Sequence, residues 1–235
     1  MKRILFMILR CFFAIPFWFS RICILGSNDK YDSQTRYAYL HKITPIAIRS
    51  GRIKIKCYGL ENLPKDNGYI MFPNHQGLFD ALAFLETHER PFVTVMKKEV
   101  KNTILLKQII SLLRAEIIDR EDVRQSMQVI MNMTRRVKEG ENFIIFAEGT
   151  RSRDGNNILE FKGGSFKSAM NARCPIVPVA LIDSYKAFDT NSIKKLAVQI
   201  HYLKPLTYAD YKGMKSTEIA TLVSTQIVET IKAFS

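Results

Sequence analysis

Tyr69-Ile70-Met71-Phe72-Pro73-Asn74-His75-Gln76-Gly77-Leu78-Phe79-Asp80 is the stretch that decides how this chain is read. Tyr69 to Phe72 is an apolar run of strand length. A histidine follows its carboxyl end, and an aspartate comes five residues later. At neutral pH an imidazole is the side chain best suited to take and return a proton. A carboxylate on one ring nitrogen fixes the tautomer and stabilises the imidazolium. No Gly-x-Ser-x-Gly elbow accompanies the pair, so the simplest chemistry is a base acting on the substrate's own hydroxyl, without a covalent enzyme intermediate. Taken alone, the motif also fits a loop histidine with Asp80 capping the helix that follows.

On either side of this stretch strands alternate with helices. Ile53, Ile55 and Cys57 alternate with Lys54, Lys56 and Tyr58, the period of a half-exposed strand. A helix is expected over Ala81 to Thr87 and strands over Phe92 to Met96 and Ala115 to Ile118, the last buried. The helix from Glu121 to Glu139 is closed by Gly140 and places Val123, Met127, Ile130 and Val137 on one side. Phe143 to Phe146 reads as the clearest buried strand and runs into Ala147-Glu148-Gly149-Thr150-Arg151-Ser152. A helix begins near Gly164. Pro175 to Ile182 and Leu196 to Leu203 are strands, and Ile219, Leu222, Val223, Ile227 and Ile231 mark a C-terminal amphipathic helix. The expected class is α/β, with a central, largely parallel sheet flanked by helices.

In such sheets ligands sit beyond the carboxyl ends of the strands. Three polar motifs fall there: His75/Asp80, Asp119-Arg120 and Glu148-Gly149-Thr150-Arg151. Two arginines suggest a phosphate, which their forked donors match. Gly149 allows close backbone approach. Lys162-Gly163-Gly164 reads either as an anion cradle or as a hinge. His41, His88 and His201 have no charged companion in a comparable motif and read as structural or solvated.

The chain has 235 residues, 47% of them hydrophobic, and a net charge of +13. That is one full-sized domain with an appendage and an anionic partner: nucleic acid, an anionic membrane surface or a phosphate-bearing substrate. The basic residues do not form an aromatic-interleaved binding motif, which argues against nucleic acid. Cys11, Cys23, Cys57 and Cys174 lack metal-ligand spacing and read as reduced thiols.

The appendage is residues 1–50, and the α/β domain is 51–235. Ile4 to Leu25 are almost all apolar, broken by Arg10, Pro16, Ser20 and Arg21. A signal peptide would need a small-residue cleavage site, which is missing. A membrane span needs about 20 apolar residues, and Cys11 to Ser20 supplies half of that. Arg3, Arg10 and Arg21 return to nearly one side of a helix, leaving Phe6, Phe12, Phe13, Trp18 and Phe19 for the rest. This fits a helix in the membrane interface, arginines toward lipid phosphates, kinked at Pro16. The alternative is a single span with a snorkelling Arg10. A second helix is expected from Asp32-Ser33 to Ser50, with Tyr37, Leu40, Ile43 and Ala47 at helical spacing, read either as packed against the first or as a basic helix packed on the core.

Asn74-His75-x4-Asp80, Glu116-Ile117-Ile118-Asp119-Arg120, Phe146-Ala147-Glu148-Gly149-Thr150-Arg151-Ser152 and Val177-Pro178-Val179 resemble the four ordered blocks of the glycerolipid acyltransferases. Among these, the 1-acylglycerol-3-phosphate acyltransferases are the nearest in pattern, over about residues 50–205. The resemblance implies that His75 and Asp80 are catalytic. It also implies that Arg120, Glu148, Gly149, Thr150, Arg151 and Lys162 bind the acyl acceptor and its phosphate. The reaction implied moves an acyl group from acyl-CoA or acyl-carrier protein to a lysophospholipid hydroxyl, with no metal or cofactor. Membrane lipids are the implied partners and the cytoplasmic face of a membrane the implied location. Related readings are an acyltransferase acting on glycerol-3-phosphate or another lyso-lipid, and a basic lipid-binding protein without activity. Two positions depart from the pattern: Ala147 stands where proline is usual, and Gly163 where a second lysine is common.

Overall fold

The structure is a computed structural model that describes residues 2–101, 103, 105–119 and 121–235. Three helices open the chain: α1 (Lys2–Arg10), α2 (Ile15–Ser27) and α3 (Ser33–Ser50). There follow β1 (Ile53–Tyr58), β2 (Ile70–Pro73), α4 (Asp80–Thr87), β3 (Phe92–Lys97), α5 (Leu106–Leu113), β4 (Glu116–Ile118) and α6 (Val123–Lys138). The chain continues through β5 (Asn142–Ile144), α7 (Lys167–Ala172), β6 (Ile176–Ile182), β7 (Leu196–Tyr202), α8 (Tyr208–Tyr211) and α9 (Ser216–Phe234).

The strands form one sheet in the order β1-β7-β6-β2-β5-β3-β4. Every neighbouring pair is parallel except β6 with β7. β6, β2, β5, β3 and β4 therefore share a carboxyl edge. Strand alternation divides the core: Tyr69 and Met71 join one cluster with residues of α2 to α5, while Ile70 and Phe72 join another with residues of α6, α7 and α9. The largely parallel α/β architecture is the one expected. Ile22, Leu25, Tyr37, Leu40, Ile43 and Ile48 of the N-terminal helices sit in the first cluster beside the strands, so these helices are packed onto the body.

Five local expectations are corrected. The N-terminal apolar segment is two helices bent by 92°, and the break falls at 11–14 rather than at Pro16. Pro16 occupies the first turn of α2, where its missing N–H costs nothing. Arg3 and Arg10 do share a side, but it faces the protein. Arg3 Nη1 donates to Gly51 O at 2.6 Å and Arg10 Nη1 to Ser50 O at 3.1 Å, so both satisfy carbonyls at the C-terminal end of α3. Arg21 lies over the Tyr31 ring. The apolar side is turned outward instead: Leu5, Leu9, Phe12, Phe13 and Phe17 are exposed. Among the described residues no single helix is long and apolar enough to cross a membrane.

The third correction is to α6, which buries Val129, Met133 and Val137 and leaves Val123 and Met127 exposed. Met127 lies about 200° round the helix from Val129. Which apolar stripe is buried depends on where α7 and β5 lie, and helical period does not encode that. Fourth, β4 is a half-buried, three-residue edge strand, because it has a neighbour on one side only. Fifth, β5 ends at Ile144, and Phe146 leaves the sheet to pack in the loop beyond.

His88 closes the amino end of the sheet. It is fully buried, with Nε2 2.6 Å from Tyr69 Oη and Nδ1 2.6 Å from Arg90 O. Burial pushes its pKa down to about 4. Between about 4 and the ordinary value of 6.5 the unfolded chain binds a proton that the folded one does not. The neutral His88 therefore contributes about 3 kcal/mol that is complete above pH 6.5 and lost as the pH falls through 4. Urea unfolding at pH 7 and pH 5 checks this: wild type should lose stability across that interval by more than His88→Asn does.

Candidate active site

The site is built at the carboxyl edge, where β6, β2 and β5 are adjacent. Asn74, just past β2, extends the ladder with its side chain. Its Oδ1 accepts from Leu181 N at 2.7 Å and its Nδ2 donates to Leu181 O at 3.0 Å, as a peptide unit would. The chain then turns into α4, which begins at Asp80.

His75 Nδ1 lies 2.7 Å from Asp80 Oδ2. The same oxygen accepts from Gln76 N at 2.7 Å and Gly77 N at 3.0 Å, and Asp80 Oδ1 accepts from Ser184 Oγ. Asp80 is fully buried, whereas His75 is half-buried. An acceptor-only carboxylate on Nδ1 fixes the tautomer with the proton there, leaving the lone pair on Nε2. The imidazole packs against the Phe146 ring, with centroids 4.1 Å apart and the planes tilted by 30°. These contacts exceed what a helix-capping aspartate would need.

The β5 loop carries the second group. Glu148 reads from sequence as an acceptor-binding residue, but its carboxylate turns inward. Oε1 accepts from His75 N at 2.6 Å and Oε2 from Leu159 N at 2.9 Å. Burial raises its pKa, and the two backbone donors and His75 oppose that shift. Glu148 thus ties the β5 loop to the histidine backbone, and Ser152 N adds a bond to His75 O at 3.0 Å. Gly149 has φ +76°, a conformation that most side chains would strain. Ala147 is buried, and its carbonyl accepts from Lys162 N at 2.9 Å.

Thr150 and Lys162 are exposed and Arg151 is half-buried. Among the described residues no ion pair engages the Arg151 guanidinium. Arg120 lies outside the described residues. Its neighbour Asp119 pairs with Lys98 at 2.8 Å, and that contact lowers the Asp119 pKa. β4 stands two strands beyond β5, roughly 10 Å away along the edge. The structure thus brings His75, Asp80 and Glu148 into direct contact and leaves Arg151 on the adjoining loop.

Several residues of the site escaped the sequence reading. Gln76 Nε2 donates to Asn156 Oδ1 at 2.9 Å and Gln76 Oε1 accepts from Ser184 N at 2.8 Å, so one amide joins the β2, β5 and β6 loops. Asn156 also accepts from Asp183 N. Gln76 lies inside the opening motif, but an amide in a loop carries no signal of its partners. Ser184 and Asn156 are 108 and 80 residues from it in sequence.

The chain matches the acyltransferase family over residues 54–182. A 1-acyl-sn-glycerol-3-phosphate acyltransferase of Borreliella burgdorferi is 30% identical over 185 residues, covering 77% of this chain and 74% of that protein. One from Limnanthes douglasii is 31% identical over 198 residues, covering 83% and 69%. The crystal structure of the 1-acyl-sn-glycerophosphate (LPA) acyltransferase PlsC from Thermotoga maritima has the same fold. Its TM-score is 0.77 at 20% identity, over 99% of this chain and 97% of that one. Sequence blocks, fold and relatives agree: the chain belongs to the acyltransferase family, among the 1-acylglycerol-3-phosphate acyltransferases, and is an O-acyltransferase.

Proposed function

We propose that the protein transfers an acyl group from an acyl thioester to the free hydroxyl of 1-acyl-sn-glycerol-3-phosphate, giving phosphatidic acid. The observation that carries this reading is the 2.7 Å contact of His75 Nδ1 with the buried Asp80, which leaves Nε2 as a base. Nε2 takes the acceptor's hydroxyl proton, and the oxygen attacks the thioester carbonyl. The C–S bond then breaks, and the thiolate leaves with the proton from Nε2. No serine or cysteine takes part covalently. The donor is acyl-CoA or acyl-carrier protein, both of which are anionic and suit a chain of net charge +13.

Arg151, joined in this reading by Thr150, Lys162 and Arg120, holds the acceptor's phosphate and so converts an encounter into a positioned reaction. Residues 1–50 dock the body on a membrane, with the exposed Phe12, Phe13 and Phe17 among the acyl chains and the protein on the cytoplasmic face. The test is thiol release from acyl-CoA by purified protein in detergent. Release that depends on lysophosphatidic acid supports the reading, and release indifferent to acceptor overturns it. Arg151→Ala should raise KM for lysophosphatidic acid about tenfold or more, the worth of one charge-assisted phosphate contact, with KM for acyl-CoA nearly unchanged. Equal rises in both would remove Arg151 from the phosphate.

A further inference from the structure

Asp80 Oδ2 takes three donors, His75 Nδ1, Gln76 N and Gly77 N. On Oδ1, the donor among the described residues is Ser184 Oγ. We infer that Ser184 is a positioning residue of the acyl-transfer site: its hydroxyl pins Oδ1 and so fixes the carboxylate edge that orients His75. The inference rests on the reading of His75 as the base.

Ser184 lies outside all four sequence blocks, in the loop after β6. Asp183, in the left-handed region at φ +64°, turns the chain there. The loop is held from three sides. Asn74 brackets Leu181, Asn156 Oδ1 accepts from Asp183 N at 2.8 Å, and Gln76 Oε1 accepts from Ser184 N at 2.8 Å. A carboxylate can rotate about Cβ–Cγ, and a donor on each oxygen removes that freedom. Three residues whose partners are mostly backbone groups thus deliver one hydroxyl to one oxygen.

The order of groups is Ser184–Asp80–His75. In a hydrolase triad the serine stands at the substrate end. Here it stands at the far end, fully buried and separated from the imidazole by the carboxylate, so it cannot reach a thioester. Its action is electrostatic. By drawing charge toward Oδ1 it tempers the pull of Asp80 on the His75 proton.

Removing the hydroxyl has two consequences. The carboxylate loses its second anchor, so fewer imidazoles are aligned for proton transfer. Its charge also bears more fully on Nδ1–H, which favours the imidazolium and moves the loss of activity at low pH to higher pH. Of the other charged groups, Glu148 on the β5 loop contacts His75, the Asp183–Lys186 ion pair at 2.8 Å lies in the loop of Ser184, and Asp189 is close to Gly77. Ser184→Ala changes none of them.

The experiment compares wild type, Ser184→Ala and Ser184→Cys in acceptor-dependent thiol release from pH 5 to 9, with thermal unfolding alongside. For Ser184→Ala the expected result is a kcat lower by about 10- to 100-fold, the equivalent of one lost hydrogen bond to a charged group. Both KM values should stay within about twofold and the acid limb of kcat/KM should move up by roughly half a unit or more. The cysteine, a weak donor of similar shape, should fall between. A merely structural serine would lower the unfolding temperature and leave the pH limb in place. A folded alanine variant with wild-type kcat and an unmoved limb overturns the inference while leaving the reading of His75 intact. If the alanine variant does not fold, the cysteine variant decides by the same two readouts. Wild type without acceptor-dependent release takes down the reading and the inference together.

Discussion

His75→Ala should lower acceptor-dependent thiol release by roughly three to four orders of magnitude, the upper range for removal of a general base. Folding should survive. The backbone N–H that His75 donates to Glu148 is kept in alanine, as is the carbonyl that accepts from Ser152 N. Asp80 retains Gln76 N, Gly77 N and Ser184 Oγ, so its buried carboxylate is not orphaned. What is lost is the ring packed against Phe146 and its Nε2. Circular dichroism and vesicle sedimentation should therefore match wild type while transfer disappears. A variant with near-wild-type release would remove His75 from the reaction and shift attention to a binding role for the whole site.

The second large effect is expected at the N-terminal helices. Phe12, Phe13 and Phe17 are 62%, 86% and 76% exposed, on or just beyond the break between α1 and α2. Fully burying a phenylalanine contributes about 1.5–3 kcal/mol. Three rings inserted even halfway are worth about 3–4 kcal/mol, or some 100- to 1000-fold in partition. Replacing all three with serine should release the protein from vesicles by that factor, and added salt should not reproduce the loss. Stability should hardly change, since the rings touch little beyond the Phe12–Phe13 edge contact. Activity on detergent-dispersed acceptor should persist, which separates docking from chemistry. Unchanged sedimentation would show that these rings do not enter the bilayer.

The N-terminal helices are joined to one another through α3. Arg3 and Arg10 hold α1 to the carbonyls that end α3, so the arginines fix α1 to the packed helix α3, while Phe12, Phe13 and Phe17 face outward. A sequence shows that cations and aromatics occupy different sides of a helix. It does not show which side faces solvent, because that depends on unpaired carbonyls supplied by another helix.

The same division runs through the rest of the molecule. Most strand and helix identities follow from local period and turn chemistry, so the alternation of the body and its largely parallel sheet were legible, while α5, α8 and the antiparallel pairing of β6 with β7 were not. His75 and Asp80 were legible too, because they are five residues apart and join across a single turn. The buried stripe of α6, the edge position of β4 and the inward turn of Glu148 were not, since each is chosen by a neighbour distant in the chain. By itself the sequence determined the fold class, the family and the pairing of His75 with Asp80. Only the tertiary structure decided how that carboxylate is held. The donors from Ser184 and the Gln76 amide meet across more than 100 residues, and hydrogen-bond geometry exists only once the β2 and β6 loops are folded side by side.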